Sequence, residues 1–255
     1  MSDNIKFKKN YRVELAKTLA GHWYSVWLKN TKGKEKFIGH FPSVTTYLNS
    51  YPTSEHLVKW VAEQGFHESR AIRDAAGKAG TRIHSGIEKL LKGEELNELE
   101  FTTEEWVKLE SFVKWYNVYK PEILGLEIPV FSKKGKYAGR LDCIAKVSGQ
   151  MYILDWKSSK SIHPSFSLQF SAYAQAIEEN TALKIDATAA IQLGAQNKDG
   201  YRFVIYSDWK NDYKVFQNVK AVWEFDNEKI AKEAPVLDLP KVLKLEKGTE
   251  LNKPH

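Results

Sequence analysis

The 255-residue chain has a single cysteine, Cys143, and only two methionines. One thiol closes no disulfide within the chain and offers no cysteine cluster for zinc or for an iron–sulfur centre, so a reducing, cytoplasmic setting is expected. No apolar run approaches the roughly 18 residues of a membrane span, and no membrane partner is expected. The start of the chain, Met1 to Lys9, has neither the apolar segment of a signal peptide nor the Arg-rich helix of a transit peptide. Internal repeats and low-complexity tracts are lacking. So is any large charge imbalance: 38 Lys and Arg against 32 Asp and Glu leave a net charge of +6, a mild preference for a polyanionic partner. At 42% hydrophobic and 27% charged residues, the composition is that of an ordinary globular chain long enough for a sizeable core.

What is present is organised around residues 137–160. Apolar and β-branched residues flank Ser148-Gly149 on both sides, which reads as a β-hairpin with a two-residue turn. With Val147 opposite Gln150, Asp142 lies across from Asp155, and Lys157 points to the face that carries both carboxylates. Leu141, Cys143, Ala145, Tyr152, Leu154 and Trp156 then share one apolar face, and Ile144, Met151 and Ile153 the other. A three-residue turn would instead shift the pairing and turn one strand over. Facing carboxylates repel, so the pattern calls for positive charge between them, with a divalent cation as the candidate.

Around this centre the elements fall in order. His22–Leu28 and Glu35–Gly39 flank a turn-like segment and predict an N-terminal hairpin. Most of its aromatics, Trp23, Tyr24, Trp27 and Phe37, are expected to pack on the domain, base stacking being the alternative. Ser43 is placed to cap a short helix, and helices follow at about 54–65 and 67–92, the latter ending before Gly93 at a C′ position. Gly80 and Gly86 within it point to close approach of another backbone. His84 shares a helical face with Glu88; a helical histidine taken alone is more often structural than a ligand. Thr102 and Glu105 form a capping box for a helix running to Lys120 and stopped by Pro121. Trp106, Leu109, Phe112, Val113 and Tyr116 form its buried stripe. A strand over Gly125–Phe131 carries Glu127, which could face the acidic site, the favoured reading being an outer or surface acid. Pro164 opens a helix over about 164–179 that places Gln169 and Tyr173 on one face. Strands at about 186–193 and 201–207 and a helix near 211–229 complete the order, and Ala234–His255 reads as a loosely attached tail. The fold class is α/β, a mixed central sheet flanked by helices. One domain is expected over 1–233, with the hairpin and helices at about 20–120, the core at about 121–210 and the closing helix at about 211–229.

Four motifs in order carry a resemblance to a family. Gly80-Thr-Arg-Ile-His84-Ser-Gly-Ile-Glu88, Gly139-Arg-Leu-Asp142, Asp155-Trp-Lys157 and Gln169-Phe-Ser-Ala-Tyr173 together resemble the PD-(D/E)xK nuclease superfamily, and its RecB-like exonuclease branch best. Pro42-Ser-Val-Thr-Thr46 is similar to phage exonucleases. The resemblance implies a restriction-endonuclease-like core and a bacterial or phage-infected cell as its setting. It implies a metal-dependent DNA exonuclease acting on ends with single-strand preference, the alternatives being a structure- or site-specific endonuclease and a non-catalytic DNA-end-binding module. Asp142, Asp155 and Lys157 are the implied catalytic residues, with Gln169 and Tyr173 positioning the scissile strand. Asp142, Asp155, His84 and the carbonyl of Trp156 are the implied ligands of Mg²⁺ or Mn²⁺, and no iron–sulfur cluster is expected. Asp155 stands where many relatives carry glutamate. The basic residues in or beside the motifs, Lys78, Arg82, Arg140 and Lys160, are candidate phosphate contacts.

Overall fold

A computed structural model describes residues 5–19, 21–237, 239–240 and 242–243. Its first element is a three-stranded antiparallel sheet of β1 (Asn10–Leu15), β2 (Trp23–Lys29) and β3 (Glu35–Pro42). The expected hairpin is β2–β3, and β1 adds a third strand that pairs Asn10 with Lys29 through Leu15 with Tyr24. The β2–β3 turn is closed by the Asn30 side chain, which accepts from the N–H groups of Lys32 and Lys34, and by Gly33 at φ 76°. Trp23 is buried in the main core, whereas Tyr24 and Trp27 are half-buried and Phe37 is exposed.

Helices follow as expected. Ser43 accepts from the Thr46 N–H and caps α1 (Val44–Tyr47), which runs into a 3₁₀ turn at Leu48–Ser50. Ser54 caps α2 (Glu55–Gln64), and Gly65 at φ 82° turns the chain into α3 (Phe66–Leu91). After α3, Gly93 at φ 86° and a 3₁₀ turn at Glu98–Glu100 lead to α4 (Thr103–Tyr119). The capping box is complete: Thr102 Oγ1 accepts from the Glu105 N–H at 3.3 Å, and Glu105 Oε2 accepts from the Thr102 N–H at 2.8 Å.

The remainder builds a five-stranded sheet in the order β4 (Glu122–Ser132), β5 (Tyr137–Val147), β6 (Gln150–Lys157), β7 (Ala187–Leu193), β8 (Tyr201–Tyr206). The β6–β7 pair is parallel and crosses over through α5 (Ser165–Asn180); the other pairs are antiparallel. The chain then forms α6 (Trp209–Asp226) and the short α7 (Glu228–Lys232). The result is a mixed α/β fold in which two helix layers cover the sheet. On one side Ile83, Ile87, Leu109, Phe112 and Trp115 of α3 and α4 pack on Cys143, Leu154 and Trp156. On the other, Leu168, Tyr173 and Phe216 of α5 and α6 pack on Leu141, Ile144 and Ile153.

The central hairpin has the two-residue turn: Ser148 and Gly149 both have positive φ, 50° and 83°, and Val147 pairs with Gln150. One expectation fails there. Leu141 lies on the opposite face from Cys143, in the α5–α6 layer. The physical reason is a break in the β4–β5 ladder. Pairing runs from Leu126 with Cys143 to Ile128 with Leu141, and between them Glu127 adopts φ 48°, so side-chain alternation reverses across Glu127 and Asp142. The beginning of the expected tail is held: Val236 bridges Thr18, and the Leu237 N–H donates to the Lys17 carbonyl. Residues 244–255 of that tail lie outside the described residues. No helix among the described residues is long and apolar enough to cross a membrane.

The capping box gives a stability test of the helix that supports α3. Thr102→Ala removes one hydrogen bond of the box and should lower unfolding free energy by about 1 kcal/mol, measured by denaturant titration. An unchanged midpoint would mean that tertiary packing alone sets the start of α4.

Candidate functional site

The site lies where β5 and β6 separate. The last rung between them is Cys143 with Leu154, and the next residues outward, Asp142 and Asp155, are where the pairing stops. There the Trp156 N–H donates to Asp142 Oδ2 at 3.0 Å, so a carboxylate takes the place of a strand partner. Asp155 is buried, and its Oδ1 lies 2.6 Å from Lys157 Nζ. Lys157, two residues on and on the same face, also donates to Gln169 Oε1 at 3.3 Å and sits over the rings of Phe166 and Phe170 at 4.4 and 5.2 Å.

Helices bring the remaining groups from both sides. From α3, His84 Nε2–H donates to the Trp156 carbonyl at 2.9 Å while Nδ1 lies 3.4 Å from Asp142 Oδ2. From α5, Gln169 Nε2 donates to the Tyr173 hydroxyl at 3.1 Å. Tyr173 is buried against Gly139, where an added Cβ would meet its ring at 2.7 Å; this is the close approach that requires glycine in Gly139-Arg-Leu-Asp142. Of the helical glycines, Gly86 meets Leu109 of α4 at an equally short 2.9 Å, whereas Gly80 leaves ordinary contact with Ser158.

Glu127 joins this group. Among the described residues, His84, Glu127 and Asp142 each offer one ligand atom, and these atoms all lie within 4.8 Å of one another. From the sequence Glu127 could face the acidic site, with an outer or surface position favoured. Its left-handed backbone at the ladder break is what turns it toward Asp142, and a period-2 pattern contains no sign of that. Two hard carboxylates and one borderline imidazole form a donor set that suits a small divalent cation.

The electrostatics follow from crowding acids in a buried fork. Burial and the neighbouring Asp142 push Asp155 up to about 6, against the pull of Lys157 and His84. Burial would raise Asp142 as well, but His84 and Lys157 outweigh it and hold the carboxyl below its usual range. Burial and Asp142 raise Glu127. Burial lowers His84, but Asp142 and Asp155 more than reverse this and carry it to about 9.

The four basic candidates are placed very differently. Arg82 is committed: Nε is 2.9 Å from Glu105 Oε1, the guanidinium also donates to the Glu100 carbonyl, and it lies over Phe101. Arg140 lies 3.7 Å from Glu127 Oε2. Lys78 and Lys160 are exposed, and the Lys160 carbonyl accepts from Gln192 Nε2 at 2.8 Å.

The sheet splays around two carboxylates, with a lysine and a helical histidine beside them, a donor set that could hold a divalent cation. No protein-family model matches the chain. It is similar to mitochondrial genome maintenance exonuclease 1 of Homo sapiens, 26% identical over 164 residues that make up 60% of this chain and 46% of that protein. The Mus musculus protein is 27% identical over 142 residues, 54% of this chain and 40% of its own length. The matched stretch thus spans less than half of either relative. The solved structure of SSO0001 aligns over 75% of this chain and 93% of its own at 13% identity, with a TM-score of 0.33, and that likeness carries no argument.

Two tests address the ligand group. His84 keeps its proton at neutral pH without metal, and an imidazole must lose its proton to ligate. Apparent metal affinity should therefore rise with pH through about 9, and binding at neutral pH should release protons into a weakly buffered solution. His84→Ala should flatten this dependence. Glu127→Gln should raise the half-saturating metal concentration by about tenfold or more; calorimetric titration returning the wild-type value would remove Glu127 from the ligand set.

Proposed function

We propose that the chain is a metal-dependent DNA exonuclease that hydrolyses phosphodiester bonds from DNA ends, with a preference for single strands and with Mg²⁺ or Mn²⁺ as cofactor. The observation that carries this is the fork itself: a half-buried Asp142 and a buried Asp155 at the point where two strands part, with Lys157 against Asp155 and His84 against Asp142. The similarity to exonucleases named for mitochondrial genome maintenance supports it.

Asp142, His84 and Glu127 would hold the ion, with Asp155 and the Trp156 carbonyl at its border. Bound there, a divalent cation supplies a more acidic water and charge stabilisation at phosphorus. Lys157, with Nζ 2.6 Å from Asp155 Oδ1, would present its ammonium where a phosphoryl oxygen or an attacking water gathers negative charge. Gln169 shares its amide between Lys157 and Tyr173, so it orients the lysine and the strand held next to it. Tyr173 is buried beneath Gln169 and acts as a positioning residue through it. The three-stranded sheet, the helical region and the five-stranded sheet form one nuclease unit in this reading.

Digestion of end-labelled linear, hairpin-capped and circular DNA with Mg²⁺, Mn²⁺ or chelator tests the proposal. Linear single strands should be degraded from an end only with metal, and circles should be spared. Circles cut as readily as linear DNA would replace the exonuclease reading with an endonuclease one. Asp155→Asn should lower the rate by more than about a hundredfold, beyond what loss of an outer ligand partner costs, while the protein still folds. Loss of folding together with activity would make Asp155 a structural residue.

A further inference from the structure

One face of the β1–β2–β3 sheet packs on the main sheet: Tyr11, Val13, Val26, Ile38 and Phe41 cover Phe131 and Ala138. The opposite face is buried at its Trp23 end, where Trp23 meets Trp223, and is open toward the β2–β3 turn, where rings of β2 and β3 line up with an arginine of β1. Arg12, Trp27 and Phe37 form a single rung. The Arg12 guanidinium lies 3.7 Å over the Trp27 ring, Trp27 and Phe37 have centroids 5.5 Å apart, and Phe37 and His40 have centroids 4.9 Å apart. Arg12 is held flat by Glu14 and Glu35, so the stripe is ordered before anything binds. Phe37 is 48% exposed, a large aromatic surface left to solvent.

The turn end of this face is basic. Lys29 lies two residues along β2 from Trp27 and shares its face, and Lys32 and Lys34 are exposed in the turn. Glu35 is the acid of this stretch, and it is already paired with Arg12 and Lys29. A row of π faces flanked by lysines is complementary to a flexible polyanion whose bases are free to stack. A duplex hides its base faces, and an apolar protein segment would gain nothing from the lysines. We infer that the outer face of the N-terminal sheet is a single-stranded DNA platform, on which bases stack on Phe37 and the Arg12–Trp27 pair while phosphates run along Lys29, Lys32 and Lys34. The inference rests on the nuclease reading for its choice of DNA and gives that enzyme a second contact, on the far side of the sheet from the metal group, reached only by longer strands.

Binding measured by anisotropy in chelator, where no strand is cut, tests it with labelled oligothymidine of 6 and 30 nucleotides and a duplex of 30 base pairs. Phe37→Leu keeps an apolar side chain but removes the ring. It should weaken 30-mer binding about tenfold, within the range for loss of one stacked base, and leave the 6-mer and duplex affinities at their wild-type values. Equal losses on all three probes, or no loss on the 30-mer, would overturn the platform. Lys32→Gln with Lys34→Gln alters only the exposed turn. Together they should reduce the salt slope for the 30-mer by about 1.4, at about 0.7 per phosphate contact, and an unchanged slope would also overturn it. Because no cleavage is read, failure here leaves the nuclease proposal standing, and an inactive enzyme that still shows the length-dependent loss would leave the platform standing.

Discussion

Asp142 and Asp155 repel each other in a place where water screens them little, and this repulsion organises the rest of the site. A sheet that continued to pair past Cys143 and Leu154 would press the two carboxylates together on one face. The strands part instead, and the freed Trp156 N–H binds Asp142. Lys157 and His84 set positive charge beside Asp155 and Asp142, and Arg140 lies 3.7 Å from the third carboxylate, Glu127. Burial first, and Asp142 after it, still raise both Asp155 and Glu127. A divalent cation among these donors would relieve that crowding directly.

The fold meets this constraint by delivering charge from both sides of one sheet. His84 enters from α3, and Gln169 and Tyr173 enter from α5, so neither helix layer holds the site alone. Each delivery depends on a close approach. Gly86 lets α3 settle against Leu109 of α4, and Gly139 lets Tyr173 lie on β5 beneath Gln169. Arg82 strengthens the first of these contacts by tying α3 to Glu105 and Glu100 at the start of α4. A basic residue beside a motif thus serves the helix packing that aims His84.

Much of this was legible in the sequence because it is local. The Ser148-Gly149 turn sets the register of the central hairpin, and the capping box at Thr102 marks the start of α4 through interactions spanning only three residues. The order of helices and strands followed from periodicity and breakers for the same reason. Glu127 was not legible, because its orientation depends on one residue at positive φ within a strand that reads as regular. The same break moved Leu141 to the other face. Strand β1 was missed for a weaker reason: Tyr11, Val13 and Leu15 do alternate with Asn10, Arg12 and Glu14, but the segment is short and lacks a turn signal joining it to β2. Arg82 shows a further limit, since a free and a committed arginine look alike until α4 is placed beside α3.

The charge map also constrains how a polyanion could use this site. Around the ligand group most cations are already engaged: Lys157 by Asp155, Arg140 near Glu127, and Arg82 by Glu105. In the proposed function a phosphate approaching three carboxylates from outside would meet repulsion, so in the fork the substrate and the cation would act as mutually stabilising ligands. Exposed lysines lie elsewhere, among them those of the β2–β3 turn, Lys78 and Lys160. On that reading a chain with a net charge of only +6 gains more from cations placed away from the fork, where they would gather a strand, than within it, where they would compete with a bound ion for the same acids.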